Sequence, residues 1–148
     1  MGSLVEETNC ARVITADTEA QVRVHALWDD RLRKVLFALG GKVTPPGGGS
    51  VKGHVIEFKG PRASKIHFKL QDKTDLELAF RPTDPIWIAE NSSCPTSPQL
   101  AGFTVVHCKD RTLTVENPGK PGVYAYTLWF VDEDGNEYDY DPIIKNIA

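Results

Sequence analysis

The sequence predicts an all-β protein, a single antiparallel β-sandwich with no long helix, on three observations. The first is the stretch 122–144, GVYAYTLWFVDEDGNEYDYDPII. Here Tyr124, Tyr126, Leu128 and Phe130 alternate with Ala125, Thr127, Trp129 and Val131. A period of two belongs to a strand, not a helix. Both of its faces are apolar, so the strand is expected at the centre of a sheet with both sides covered. The second observation is Asp134-Gly135-Asn136. These residue types favour the positive φ angles of a close hairpin. The third is the spacing of the whole chain: about eight to ten short strand-like segments, with turn residues every 8–12 positions, which is the pattern of a Greek-key sandwich.

In chain order, residues 1–10 read as frayed or as an edge strand, and 11–16 (ARVITA) as a first strand. Residues 21–28 follow, with Val22, Val24, Ala26 and Trp28 on one face. The run 34–39 (KVLFAL) is too short for periodicity to decide, and its alternating neighbours favour strand. Residues 40–50 (GGKVTPPGGGS) read as a flexible surface loop, because their glycines and prolines argue against a regular element. The loop does not have the spacing of a phosphate-binding P-loop. Further strands are expected at 54–58, 65–70, around Leu76, Leu78 and Phe80, and at 86–88, 103–108 and 112–115. In 65–70, Ile66, Phe68 and Leu70 alternate with Lys65, His67 and Lys69, which describes a sheet with one wet face.

At 148 residues the chain suits one domain, 1–148, with a core that needs no staples. Hydrophobic residues at 41% and charged residues at 25% are ordinary globular values. The net charge of −3, with no basic stripe along the sequence, argues against a nucleic-acid partner. No apolar run is long enough to cross a membrane as a helix. The N-terminus has no signal-peptide pattern, so a cytoplasmic location is expected. Cys10, Cys94 and Cys108 are an odd set, which fits free thiols better than a disulfide framework; one Cys94–Cys108 bridge is the alternative.

The segment from Gly122 through Tyr124, Tyr126 and Leu128 resembles the G-x-Y-x-[YF]-x-C strand of cupredoxins. It also resembles the F strand of immunoglobulin-like domains, where a tyrosine two residues before a cysteine makes the tyrosine corner. Leu128 stands at the cysteine position of both. The order of 103–108, 113–115, this strand and Asp141-Pro142-Ile143-Ile144 before Asn146 is similar to the DP-EP family of small bacterial β-sandwiches. These resemblances imply an immunoglobulin-like or cupredoxin-like sandwich, a buried Tyr124 whose hydroxyl bonds a nearby backbone carbonyl, and no particular activity.

Copper chemistry needs two His, a Cys and usually a Met, and the residues for it are missing: Leu128 replaces the cysteine, and the only methionine is Met1. His25, His54, His67 and His107 lack the spacing of a zinc site. Cys108, His54 and Asp110 can be written as a triad, but no nucleophile motif supports it. No cofactor is expected, and enzyme activity is the less favoured reading. Trp129 is expected in the core. Trp87, with Asp84 and Glu90, is the candidate ligand site, since a part-exposed aromatic beside carboxylates can stack on a sugar ring. The acidic hairpin offers Asp132 and Asp134 as a calcium alternative, against a plain turn role. The expected function is a non-enzymatic binding module. It would engage a protein partner or a second copy through loops and sheet edges, with a carbohydrate- or small-molecule-binding domain as the alternative.

Overall fold

The computed structural model describes residues 18–60, 62–91 and 93–148. Twelve strands run in the order β1 (Thr18–Asp29), β2 (Lys34–Thr44), β3 (Gly49–Lys52), β4 (Val55–Lys59), β5 (Ser64–Lys73), β6 (Ala79–Phe80), β7 (Ile86–Glu90), β8 (Thr104–Lys109), β9 (Thr112–Asn117), β10 (Gly122–Val131), β11 (Glu137–Tyr140) and β12 (Ile143–Ile147). No helix occurs among the described residues. The strands form two sheets. The first has the order β2-β1-β5-β9-β8; the second has the order β11-β10-β12-β4-β3, with β6 and β7 also paired to β10.

Alternation builds the space between them. β1 turns Ala20, Val22, Val24 and Ala26 inward, and β5 turns Ile66, Phe68 and Leu70 inward. β10 meets them with Tyr124, Tyr126, Leu128 and Phe130, each nearly or wholly inaccessible. Aromatic pairs join the layers: the Phe68 and Tyr126 rings lie 5.9 Å apart, and Phe37 stacks on Phe130 at 4.9 Å. A buried amide pair also crosses between the sheets. Asn117 Nδ2 donates to Asn146 Oδ1 at 2.8 Å, and Asn146 Nδ2 returns a bond to Asn117 Oδ1 at 2.9 Å. Buried amides need such partners, and this pair supplies them reciprocally.

The all-β sandwich agrees with the sequence reading, but the sheets are mixed, not purely antiparallel. β1 lies parallel to β5, and β12 parallel to β4. Alternation specifies which face a residue takes, and it carries no information on strand direction.

The 40–50 stretch is also different from expectation. Strand β2 continues through Gly40 and Gly41 to Thr44, and β3 resumes at Gly49, so only 45–48 is loop. Gly41 (φ 141°) and Gly49 (φ 154°) occupy conformations that side-chain-bearing residues rarely adopt. A Cβ on either would lie 1.9 Å from a backbone carbonyl oxygen, that of Gln21 or of Glu57. The glycines are therefore close-approach positions inside strands. They carry the chain from the first sheet to the second.

Three smaller corrections follow. Leu76 and Leu78 precede β6 and are not in a strand, since Asp72 organises this segment as a turn. Trp28 lies at the outer end of β1 and is 38% exposed, its indole N–H bonded to Asp30 Oδ1. The second arm of the acidic hairpin breaks after four residues at Asp141-Pro142, and its chain then resumes as β12. The segment 11–16 and Cys10 lie outside the described residues.

Tyr124 meets the expectation set for it, since it is buried and its hydroxyl donates to the Lys120 carbonyl at 2.8 Å. Tyr126, two residues before Leu128, is instead buried with its hydroxyl unpartnered among the described residues.

Candidate functional site

Trp87 sits on the outer face of the second sheet, because Ile86 and Ile88 on either side of it point into the core. Its register partner is Thr127 on β10. Trp129, expected inside, lies on this same outer face: Leu128 and Phe130 take the inward positions, and one residue of offset reverses the side. The two indole rings are 5.0 Å apart. Arg81 is laid over both, with its guanidinium carbon 4.6 Å from the Trp129 ring and 5.7 Å from that of Trp87. Three bonds hold the guanidinium: Nε donates to Thr83 O, one terminal nitrogen to Asp84 O, and the other to Glu137 Oε2 at 3.3 Å. Both indole N–H groups are buried without a partner among the described residues.

The candidate set Trp87, Asp84 and Glu90 does not converge through its carboxylates. Asp84 takes part through its backbone carbonyl, and Glu90 pairs with Lys120 at 3.2 Å. None of the grooves described below is lined by Trp87.

Beside the tryptophans, the Thr127 hydroxyl donates to Asp141 Oδ1, and Asp139 lies across from Trp129. Burial, and then repulsion from Asp141, pushes the Asp139 carboxyl above its ordinary value, despite a bond from its own backbone.

At the hairpin, Asp132 serves the turn. Its carboxylate accepts from the Asp134 and Asn136 backbone N–H groups, from the Asn136 side chain and from the Tyr138 hydroxyl. Desolvation would raise its pKa, but these four bonds outweigh it and hold the carboxyl below the usual range. No cluster of three or more metal-ligating side chains occurs among the described residues. Two residues of the written triad find other partners. His54 Nδ1 bonds the Tyr140 hydroxyl, and the Cys108 thiol donates to the Arg81 carbonyl at 3.7 Å. Burial, and then Asp110, pushes the Cys108 thiol up, away from the thiolate a nucleophile needs. Cys94 and Cys108 are both free.

Sequence reasoning missed the open flank between β2 and β11. β2 pairs only with β1, and β11 only with β10, among the described residues. Between these two edges lies a groove of about 620 Å³, lined by Val35, Phe37, Tyr138 and Tyr140 together with charged banks. Phe37 stacks on Tyr140 at 5.4 Å. Burial pushes the Tyr140 hydroxyl up to about 12, so it stays neutral and hydrogen-bonding. Arg33 and Lys34 stand on one bank, and Glu137, Asp139 and Asp141 on the other. The adjoining β1–β2 hairpin leaves Leu27, Trp28, Leu32 and Leu36 exposed, four of the seven large apolar side chains exposed among the described residues. The signal was present as Leu27, Leu32 and Leu36. Recognising it required the pairing of Leu27 with Leu36 on an outward face.

No protein-family model matches the chain, and no curated protein matches it significantly. No helix is long and apolar enough to cross a membrane among the described residues. The class of protein defined by the fold is thus a two-sheet β-sandwich with an open lateral groove.

Proposed function

We propose that this chain is a non-enzymatic interaction module that associates through its strand edges, with a second copy of itself as the partner. The observation that carries the reading is the β2 edge. Other edges are blunted as soluble proteins usually blunt them. β8 has a bulge between Val105 and His107, β3 has four residues, and the β6–β7 edge is broken by Pro82 and Pro85. β2 runs eleven residues without proline or bulge, beside exposed leucines. Charge favours a second copy over an unrelated partner. A two-fold axis along the groove sets the Arg33–Lys34 bank of one copy against the Glu137–Asp139–Asp141 bank of the other, and the reverse.

The experiment is sedimentation velocity over a concentration series. The expected result is a monomer–dimer equilibrium that weakens with salt and is abolished by Leu36→Lys combined with Leu32→Glu, with the fold retained. A protein that is monomeric at the highest soluble concentration would overturn the reading. The carbohydrate alternative built on Trp87 is less favoured, since Arg81 already lies over that ring.

A further inference from the structure

The outer face of the first sheet carries a separate surface, and its composition follows from register. With even-numbered residues of β1 and β5 buried, odd-numbered ones point out. Pairing aligns Lys42, Gln21, His67, Thr114 and His107 in one row across all five strands. The adjacent row is Gly40, Arg23, Lys69, Thr112 and Lys109. A shallow groove of about 530 Å³ lies over the two rows and is lined by Gln21, Arg23, His67, Lys69, Thr112 and Thr114, among others.

Charge on this face runs against that of the chain, whose net value is −3. Arg23, Lys42, Lys69 and Lys109 form no ion pair among the described residues. Two of the nearby acids are occupied or matched: Glu19 bonds His67 Nε2 at 2.8 Å, and Lys65 stands in register between Glu19 and Glu116. The polar groups between the cations are ordered. His67 Nδ1 reaches the Thr114 hydroxyl at 3.2 Å, and His107 Nε2 the Thr112 hydroxyl at 2.9 Å. Strand spacing of about 4.8 Å spreads the row from Lys42 to His107 over roughly 19 Å, the span of several sugar units and not of one small anion.

We propose that this face binds an acidic polysaccharide. Uronate carboxylates would pair with Arg23, Lys69 and the flanking lysines, and ring hydroxyls with Gln21, Thr112 and Thr114. Charge complementarity calls for a polyanion, and the side chains between the cations favour a hydroxyl-rich one. A nucleic acid fits less well. Single strands are held by bases stacked on aromatic side chains, and neither row contains an aromatic residue other than histidine. The proposal is independent of the strand-edge reading and uses none of the residues that reading tests.

Calorimetric titration with a galacturonate hexamer at low salt tests it. The expected result is binding that weakens as salt rises. Arg23→Gln and Lys69→Gln should each weaken it about tenfold, the loss of one charge-assisted hydrogen bond. Lys145→Gln, on the outer face of the other sheet, should leave it unchanged. Circular dichroism should show all three variants folded. Absence of binding, equal affinity for a neutral dextran, an affinity of the Arg23 and Lys69 variants equal to that of the parent, or tighter binding of single-stranded oligothymidylate would each overturn the assignment.

Discussion

On the outer face of the second sheet, Arg81 is laid over Trp87 and Trp129 and held by three hydrogen bonds. On the outer face of the first, Arg23 and Lys69 reach solvent with no ion pair among the described residues. The difference begins in the strands beneath. β10 carries Trp129 outward as well as an apolar inward face, so the outer side requires a cover there, and the cover comes from Trp87 and Arg81. β1 and β5 alternate apolar with polar residues through the sheet centre, so their outward side chains are hydrated and need none. An arginine in the first setting is a packing element; in the second it is an available charge.

The largest expected effect comes from breaking the covered face. Arg81→Ala should destabilise the fold by about 2–3 kcal/mol, since it uncovers two indoles and leaves backbone carbonyls without their donor. Arg81→Lys should recover only part of this, because an ammonium lacks the planar fork that reaches both carbonyls and Glu137. Urea denaturation measures both. A loss below the error of the measurement would show that the stack is incidental.

Thr127→Val comes next. Thr127 is 3% exposed, and its hydroxyl is the donor to Asp141. The substitution should cost about 1 kcal/mol by leaving that carboxylate short of a partner. The same denaturation curves check it, and Thr127→Ser should cost less.

A smaller effect is expected at Asp139, and its sign depends on pH. Its folded pKa lies above the ordinary value, first through burial and then through Asp141. The folded state therefore favours the protonated form. This group's contribution is most favourable in acid and declines as pH rises from the ordinary carboxyl range through the raised folded pKa. Asp139→Asn should be slightly more stable than the parent at neutral pH and lose that advantage in acid. A constant difference across the pH series would show that titration of Asp139 is not the cause.

The smallest effect belongs to the open face. Arg23→Gln and Lys69→Gln should leave stability within about 0.5 kcal/mol, as expected for exposed side chains without partners. A larger loss would mean that this face, too, depends on its cations for packing.

Much of the fold was legible locally. The two-residue period of β10, the inward set of β5 and the turn at Gly135 are properties of neighbouring residues, and sequence displays them. Tyr124 could also be read, through its place two residues after Gly122 in the G-x-Y-x-Y pattern. The glycines at 41 and 49 were misread because a glycine in a loop and a glycine under an approaching carbonyl look alike in sequence. Trp129 was misplaced for a related reason. A strand apolar on both faces does not say which face is the core, and the neighbour that covers its outside, Arg81, is forty-eight positions away in the chain.

By itself, the sequence determined that this protein is built of alternating strands, which side chains share a face, and where the principal hairpin turns. These follow from the backbone period and from turn chemistry, both local. Tertiary structure alone decided that β1 and β5 run parallel, that β2 and β11 remain as edges around a groove, and that Arg23, Lys42, Lys69 and Lys109 meet on one face. Each of these depends on which distant strands pair and in what register, and that is set by how the whole chain buries its apolar faces together.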